Sequence, residues 1–464
     1  MIRILGRYIP IKSVILALTE CVLIVASILL AAWIRFGNLT DTSWYLSRPY
    51  TLGQIGTFTL ICVVCLYYND LYDLHAVARR AELIVHLLQS LGTTTLILAL
   101  LYYIAPDLSL GRGISGVGVI LIFVLLLAWR LTVDKGEFFR PVHRVVVAGT
   151  GTNGIRLIRE ILAHPELNLK VVGFLDETGE RIGQPLVNPG IVGSVADVEN
   201  VVQREKVDWV VLSLAERRGV MPTRALLRLK LAGVNVEDAH SLFEKLMGGV
   251  MLERLSASWL VLSDGFRKNA LLMSSKRVLD VAISLLALVV LCPLFLLIAL
   301  AIFLESGYPI LFRQDRVGLH GRVFKILKFR SMRHGAEQGE AIWASTRDPR
   351  VTGVGRILRA YRLDELPQLV NVLRGDMSLV GPRPERPEFV QMLGEQIPYY
   401  HERHTVRPGL TGWAQIKYQY GSCVEDAKIK LEYELFYLKH LSLFFDLAIV
   451  FRTVQVVFSG KGAR

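Results

Sequence analysis

The chain has 464 residues, of which 52% are hydrophobic and only 20% are charged, and its formal net charge is +12. This composition excludes an intrinsically disordered protein and is unusually apolar for a wholly water-soluble one, so membrane segments are expected. The length suggests about three domains. The positive excess is concentrated in residues 313–362, which carry 12 basic and 4 acidic residues and favour phosphates or anionic lipid headgroups as partners. Nucleic acid is not expected as a partner, because no helix-turn-helix, zinc-finger spacing or pattern of stacking aromatics accompanies this charge.

Four apolar stretches in the first 140 residues are long enough to cross the hydrocarbon core of a bilayer. They cover residues 14–34, 52–68, 83–104 and 117–133. Basic residues precede the first stretch, separate the second from the third and follow the fourth, so the positive-inside rule places both ends of this region in the cytoplasm. We therefore predict a four-helix transmembrane bundle over residues 1–140.

A β-branched run, a glycine turn and an amphipathic stretch follow the fourth span. The turn has the spacing Gly149, Gly151 and Gly154, and a second β-branched run ends at Asp176, where a Rossmann unit has its ribose-binding acid. The pattern predicts a Rossmann-like α/β domain over residues 141–265. These four residues are candidate cofactor contacts, but glycines also serve strand-to-helix contacts and no hydride-transfer site follows. We therefore favour an accessory, regulatory or dimerising domain.

The apolar run at residues 281–304 has Pro293 at its middle. By length it could cross the membrane. Basic residues flank both of its ends, and a proline removes a helix hydrogen bond and bends the helix. We therefore predict a re-entrant helix hairpin over about residues 277–304 that enters and leaves the cytoplasmic leaflet. A straight fifth span is the alternative.

Two adjacent carboxylates, Asp364 and Glu365, lie in the sequence LDELPQ. Because Pro367 disfavours helical geometry at Leu366, they lie at a break between two helical stretches. One of them could simply cap the second helix. Several arginines nearby would supply what a phosphoryl-transfer centre needs, namely a nucleophile or metal ligand together with cations that hold a diphosphate.

Five features in order carry a resemblance to a known family: the helix hairpin with its central proline, KFRSM, LDELPQ, GDMSLVGPRP and RPGLTGWAQI. Together they resemble the bacterial polyprenyl-phosphate sugar-1-phosphate transferases with a monotopic catalytic core. The resemblance covers roughly Ser275 to Lys461. With the four spans and the Rossmann-like domain, the chain resembles the long form of this family, and most of all its exopolysaccharide and exosortase-associated branch.

The resemblance implies that a sugar 1-phosphate moves from a UDP-sugar to undecaprenyl phosphate with release of UMP and a requirement for Mg²⁺. This reaction would begin the synthesis of exopolysaccharide or O-antigen repeat units. By motif, Asp364 corresponds to the nucleophile that forms an aspartyl-phosphate sugar intermediate, Glu365 to its acidic partner, and both are candidate metal ligands. The candidate phosphate contacts are Lys328, Arg330, Arg383 and Arg407. The family pattern has aspartate where this chain has Glu434, which leaves the role of Glu434 open.

The expected protein therefore has a mixed α/β catalytic domain over residues 266–464 and lies in the bacterial inner membrane with that domain facing the cytoplasm, where nucleotide sugars are found. A homodimer is expected. One alternative is a membrane-bound, NAD-dependent nucleotide-sugar epimerase or dehydratase, but the one Tyr-x-x-x-Lys pair, Tyr8 and Lys12, precedes the first span. Another is a non-enzymatic scaffold for polysaccharide assembly. The sequence does not indicate which sugar is transferred.

Overall fold

The computed structural model describes most of the chain. The described residues are 2–4, 7–9, 11–69, 71–72, 80–135, 142–214, 221–253, 255, 260, 263–266, 268–333, 350–418 and 423–458. The chain divides into two units, Met1–Glu237 and Asp238–Arg464. The expected boundary between residues 140 and 141 falls outside the described residues.

The first unit begins with a small hairpin and a set of helices. These are β1 (Ile2–Ile4), β2 (Arg7–Ile9), α1 (Ile11–Phe36), α2 (Leu39–Leu46), α3 (Thr51–Tyr68), α4 (Arg80–Ile104) and α5 (Arg112–Lys135). All of these helices except α2 contain a segment long and apolar enough to cross a membrane. Ile24, Phe58, Leu87 and Ile122 are buried in one apolar cluster that all four long helices share. Apolar helices that could span a membrane are therefore confirmed at the predicted positions.

A buried ion pair, which the sequence analysis did not consider, joins α1 to α5. Arg130 Nε lies 2.7 Å from Glu20 Oε1, and Arg130 Nη2 lies 3.0 Å from Glu20 Oε2. Arg130 Nη1 also donates to the carbonyl oxygen of Leu71, just beyond α3. A single guanidinium therefore connects three parts of the helical region.

The rest of the first unit is an α/β domain. Its strands are β3 (His143–Ala148), β4 (Leu169–Asp176), β5 (Ile191–Ser194), β6 (Trp209–Leu212) and β7 (Asn235–Asp238), and its helices are α6 (Thr152–Ala163), α7 (Val198–Glu205) and α8 (Thr223–Leu231). The sheet has the order β5-β4-β3-β6-β7. β3 pairs in parallel with β4 and β6, and β4 pairs in parallel with β5. The predicted α/β domain with a parallel sheet is confirmed.

The second unit mixes helices with two small sheets. Its helices are α9 (Ala239–Met247), α10 (Ala270–Ser306), α11 (Gly353–Ala360), α12 (Gln368–Arg374), α13 (Pro387–Gln396), α14 (Trp413–Lys417), α15 (Val424–Lys439) and α16 (Leu443–Phe458), and its strands are β8 (Leu311–Val317), β9 (Val323–Phe329), β10 (Ser378–Val380) and β11 (Gly409–Thr411). β8 pairs with β9 antiparallel, and β10 pairs with β11 in parallel. The fully buried Val372, Met377, Leu431 and Leu435 lie in the main core of this unit.

Helix α9 belongs to this second unit, although the sequence assigned residues up to 265 to the preceding α/β domain. Glu244 on α9 accepts a hydrogen bond from Lys439 Nζ at 2.8 Å and lies 2.6 Å from His440 Nε2. Trp413 Nε1 donates to the carbonyl oxygen of Gly248 at 2.7 Å. These contacts, and not its place in the chain after β7, determine where α9 lies.

The predicted membrane hairpin corresponds to α10, a single helix of 37 residues that continues through Pro293. Near its start, the buried Lys276 donates to the carbonyl oxygen of Val380 at 3.0 Å and lies 2.6 Å from Asp446 Oδ2. Many apolar side chains between the two ends are exposed, among them Leu285, Leu286, Val289, Val290, Leu296, Leu297 and Leu300.

The end of α10 is fastened to the same unit. The Glu305 carboxylate accepts hydrogen bonds from the backbone N–H groups of Gly353 and Val354, at 2.7 and 3.0 Å, at the start of α11. Ile298 and Ile302 are buried against Phe329 and Leu358. Both ends of this apolar helix therefore contact one unit, while its middle presents apolar side chains outwards.

Candidate active site

The two adjacent carboxylates lie in a short 3-10 turn, Leu363–Glu365, between α11 and α12. The residue before the turn, Arg362, has a φ of 55°, in the left-handed region, and so redirects the chain after α11. Helix α12 has Pro367 at its N-cap and no side-chain cap hydrogen bond. The alternative in which Asp364 or Glu365 caps this helix is therefore wrong.

Glu365 is held by two cations. Its Oε1 lies 2.8 Å from Lys328 Nζ, near the end of β9, and 2.8 Å from Arg383 Nη2, in the loop after β10. Burial alone would raise the pKa of Glu365, but Arg383 and Lys328 outweigh burial and hold that pKa well below its usual range. Glu365 is therefore ionised, with two cations on one of its oxygens.

Asp364 has the opposite environment, although it is the neighbouring residue. It is 9% exposed and forms no hydrogen bond or ion pair with any residue that the structure describes. Burial raises the pKa of Asp364, Lys328 partly offsets this, and the negative charge of Glu365 adds to the increase. Asp364 is thus the carboxylate with oxygens available to react, in a site whose positive charge is supplied by Lys328 and Arg383.

The structure separates the four candidate phosphate contacts into two pairs. Lys328 and Arg383 contact Glu365, as described above. Arg330 Nη2 instead donates to the carbonyl oxygens of Ser306 and Gly307, both at 2.6 Å, and so closes the end of α10. Arg407 Nε donates to the carbonyl oxygen of Gly375 at 2.9 Å, beyond the far end of α12. Of the four, only Lys328 and Arg383 contact Glu365.

Glu434, whose role the sequence left open, forms a buried ion pair. Arg403 Nε lies 2.8 Å from Glu434 Oε2, and Arg403 Nη2 lies 2.7 Å from Glu434 Oε1. Both oxygens of Glu434 are therefore engaged by one guanidinium. The sequence analysis did not single out Arg403, although a charged residue on a buried helix face indicates a partner of opposite charge.

The glycine turn of the α/β domain serves close contacts between backbone segments. Gly149 has a φ of 108°, and a Cβ there would lie 2.5 Å from the carbonyl oxygen of Ser213, just after β6. A Cβ on Gly154 would lie 2.9 Å from Ser213 Oγ, and one on Gly151 would lie 3.2 Å from Ser213 O. Because all three glycines face this one residue, close contact alone explains their spacing.

Asp176, the fourth candidate cofactor contact, closes a turn. Its Oδ2 accepts hydrogen bonds from Thr178 Oγ1 and from the backbone N–H of Gly179, each at 2.9 Å. Burial would raise its pKa, but these hydrogen bonds hold the pKa of Asp176 below its ordinary value. The carboxylate that a dinucleotide ribose would need therefore has a local structural role.

Comparison with known proteins shows the family of the chain. A family model described as bacterial sugar transferase matches residues 271–460, and one described as a CoA-binding domain matches residues 67–237. A UDP-glucose:undecaprenyl-phosphate glucose-1-phosphate transferase of Xanthomonas campestris pv. campestris is 30% identical over 483 residues, which cover 99% of this chain and 96% of the relative.

Two further relatives match shorter stretches. A UDP-glucose:undecaprenyl-phosphate glucose-1-phosphate transferase of Klebsiella pneumoniae is 32% identical over 70% of this chain and 71% of its own. A UDP-N-acetylgalactosamine-undecaprenyl-phosphate N-acetylgalactosaminephosphotransferase of Aeromonas hydrophila is 42% identical over 52% of this chain and 56% of its own.

A carboxylate pair set among cations, in a unit that carries an exposed apolar helix, defines a membrane-associated enzyme of group transfer. The extent of the matches makes the assignment specific. The chain belongs to the bacterial sugar transferase family, the polyprenyl-phosphate hexose-1-phosphate transferases.

Proposed function

We propose that the protein transfers a sugar 1-phosphate from a UDP-sugar to undecaprenyl phosphate and releases UMP, as the first membrane step in the synthesis of a polysaccharide repeat unit. The observation that carries the proposal is the division of roles between Asp364, which is buried and unpaired among the described residues, and Glu365, which two cations neutralise. The names of the relatives supply the substrate class.

The reaction has two displacements at one phosphorus atom. An oxygen of Asp364 attacks the phosphorus that carries the sugar, the bond to UMP breaks, and UMP leaves with the electron pair. A phosphate oxygen of undecaprenyl phosphate then attacks the same phosphorus and releases the Asp364 carboxylate. Lys328 and Arg383 oppose the negative charge that the phosphate groups of both substrates bring to the site.

The two carboxylates would hold a magnesium ion together with the diphosphate of the substrate. Lys328 and Arg383 both contact Oε1 of Glu365, so the Asp364 carboxylate and Oε2 of Glu365 would be the ligands of this ion. Among the residues that the structure describes, no group of three or more His, Cys, Asp or Glu side chains could hold a metal ion. Magnesium commonly uses one or two carboxylates together with substrate phosphates, and when bound it would offset charge on the leaving UMP.

The position of the site beside α10 supports access to a lipid substrate. Leu363 and Leu366, on either side of the carboxylate pair, are packed against the cluster that contains Ile298 and Ile302 of α10. We propose that α10 is re-entrant and bends at Pro293, since both of its ends contact one unit. On this arrangement the four long helices of the first unit form a bundle, and the second unit faces the cytoplasm.

We propose a supporting role for the α/β domain, with its strand order of the doubly wound, Rossmann-like kind. Its glycines and Asp176 are occupied by contacts within the domain, which favours an accessory domain over a nucleotide site. Dimerisation is the function we propose for it.

The decisive experiment is UMP release by the purified protein in lipid nanodiscs, with undecaprenyl phosphate, Mg²⁺ and a panel of UDP-sugars that includes glucose and N-acetylgalactosamine. We expect lipid-dependent release from at least one donor. Asp364→Asn keeps the side-chain volume but removes the nucleophile, so release should fall on the order of 10³-fold or more.

The same preparation tests the covalent step. Without the lipid, labelled UMP should exchange into the UDP-sugar in the wild-type enzyme and not in Asp364→Asn. Two results would contradict the proposal. One is UMP release that persists in a folded Asp364→Asn variant, and the other is no UMP release by the folded wild type with any UDP-sugar of the panel.

A further inference from the structure

The ion pair between Arg403 and Glu434 is one of the most deeply buried charged contacts in the second unit. The side chains are 5% and 4% exposed. Arg403 lies in a 3-10 helix, Tyr400–Thr405, and Glu434 lies on α15, so the pair joins two elements that are distant in sequence. Burying two charges is costly, and a buried pair is weak support for a role in stability alone.

Arg403 has further bonds that the ion pair does not require. Its Nη2 also donates to the carbonyl oxygen of Arg383 at 2.8 Å, and its Nη1 donates to the hydroxyl of Tyr400 at 2.6 Å. Tyr400 is itself buried. Glu434 and Tyr400 therefore fix the plane of the guanidinium, and the guanidinium fixes one backbone carbonyl.

That carbonyl belongs to a residue of the active site. The side chain of Arg383 contacts Glu365, while its backbone accepts the bond from Arg403. Arg383 lies between Pro382 and Pro384, and prolines donate no backbone hydrogen bond. The backbone of this loop thus depends on outside donors such as Arg403 for its position.

We propose that Arg403 and Glu434 are positioning residues, which place Arg383 against Glu365 and so against the phosphate that is transferred. The inference rests on the proposed function and deepens it. Neither residue touches the carboxylate pair, so each acts through Arg383. An arginine is required at position 403 because its fork reaches Glu434 and the Arg383 carbonyl at once, which a lysine ammonium cannot reproduce.

The test replaces the pair without leaving a buried charge. The variant is Arg403→Met combined with Glu434→Leu, in which apolar side chains of similar volume replace the ion pair. Such a replacement of a buried ion pair is often neutral for stability. We expect a melting temperature close to that of the wild type, a fall in kcat on the order of 10²-fold, and a KM for the UDP-sugar within about threefold of the wild type. The matched control is Glu20→Leu with Arg130→Met, which removes a buried ion pair whose arginine likewise donates to one backbone carbonyl, that of Leu71.

Arg403→Lys is the second variant, because it keeps the charge beside Glu434 and so tests the inference even if the double variant does not fold. It should keep the fold and show the same selective fall in kcat. Wild-type kcat in either folded variant overturns the inference, as does an equal fall in the control pair. A wild-type enzyme that releases no UMP contradicts the proposed function instead, so the two failures are distinguishable.

Discussion

Asp364 and Glu365 are neighbouring carboxylates, but their surroundings in the folded protein differ. Glu365 is stabilised as an anion by Arg383 and Lys328, whereas Asp364 is buried beside that anion without a partner among the described residues. Their pKa values are therefore shifted in opposite directions. Because the two groups interact, the pH dependence of the enzyme should report apparent values of the pair.

The raised pKa of Asp364 gives a prediction for the pH profile. The attacking form is ionised, so kcat/KM should rise with pH through a pKa above the ordinary aspartate value of about 3.9. Lys328 lowers the pKa of Asp364, so Lys328→Met should raise that pKa and move the acid limb of kcat/KM to higher pH. The measurement is UMP release as a function of pH.

Lys325→Met is the matched control, because Lys325 lies on the same strand but is 68% exposed and pairs with Asp315. The acid limb of the pH profile of Lys325→Met should lie at the same pH as that of the wild type. An unmoved limb in Lys328→Met would show that Asp364 does not titrate as the attacking group.

The sequence identified the carboxylates and both cations that contact Glu365, but two of its four candidate cations, Arg330 and Arg407, have other contacts. LDELPQ predicted a reactive pair at a helix break, and basic residues were plentiful nearby. Arg330 follows Lys328 by two positions, yet its guanidinium binds the end of α10. Such bonds join side chains to the backbone of remote segments, and neither periodicity nor local charge reports them.

At the scale of elements, α10 is longer than its hydropathy suggested. The apolar run of residues 281–304 is extended at its start by turns that contain the buried Lys276 and Asp280. Asp280 Oδ1 accepts a hydrogen bond from the backbone N–H of Leu379 at 3.1 Å. A hydropathy pattern ends at such polar residues, although their partners let the helix continue inside the protein.

The contacts that both ends of α10 form with the second unit predict the membrane topology of this helix. In a background without the native cysteines, Ser274→Cys and Tyr308→Cys lie near its two ends at exposed positions. A membrane-impermeant maleimide should label both in inside-out vesicles and neither in intact spheroplasts. Ser47→Cys, in the loop between α2 and α3, should show the reverse pattern. Labelling of the two α10 positions from opposite sides would establish a straight crossing.

The ion pair of Glu20 and Arg130 predicts the stability of the helical region. Glu20→Gln leaves the Arg130 guanidinium buried beside a neutral partner, which should cost about 3 kcal/mol or more. Replacing both residues, by Glu20→Leu with Arg130→Met, should cost less because no charge is left unpaired. Thermal unfolding in detergent measures both, and equal losses in the single and the double variant would contradict this account. The sequence could show an acid inside a span, but not which basic residue faces it.

For the whole molecule, the sequence predicts the end of the α/β domain at residue 265, whereas the structure divides the chain into units after Glu237. Distinct hydrophobic patterns mark the apolar spans, the parallel α/β domain and the mixed α/β unit. All three parts were predicted from the sequence. Helix α9 follows β7 as a further helix of a doubly wound domain would, so its sequence gave no sign of a boundary before it. The side-chain contacts of α9 place it in the second unit, because Glu244 contacts Lys439 and His440 of that unit.

The fastening of α10 also has a mechanical consequence. Leu363 and Leu366 flank the carboxylate pair and lie against Ile298 and Ile302, so the helix cannot shift without disturbing the turn that holds Asp364. If the middle of α10 lies in lipid, a thicker or thinner bilayer presses on a helix that is clamped at both ends. Acyl-chain length then becomes a variable of the reaction rate, even when the headgroups and both substrates are unchanged.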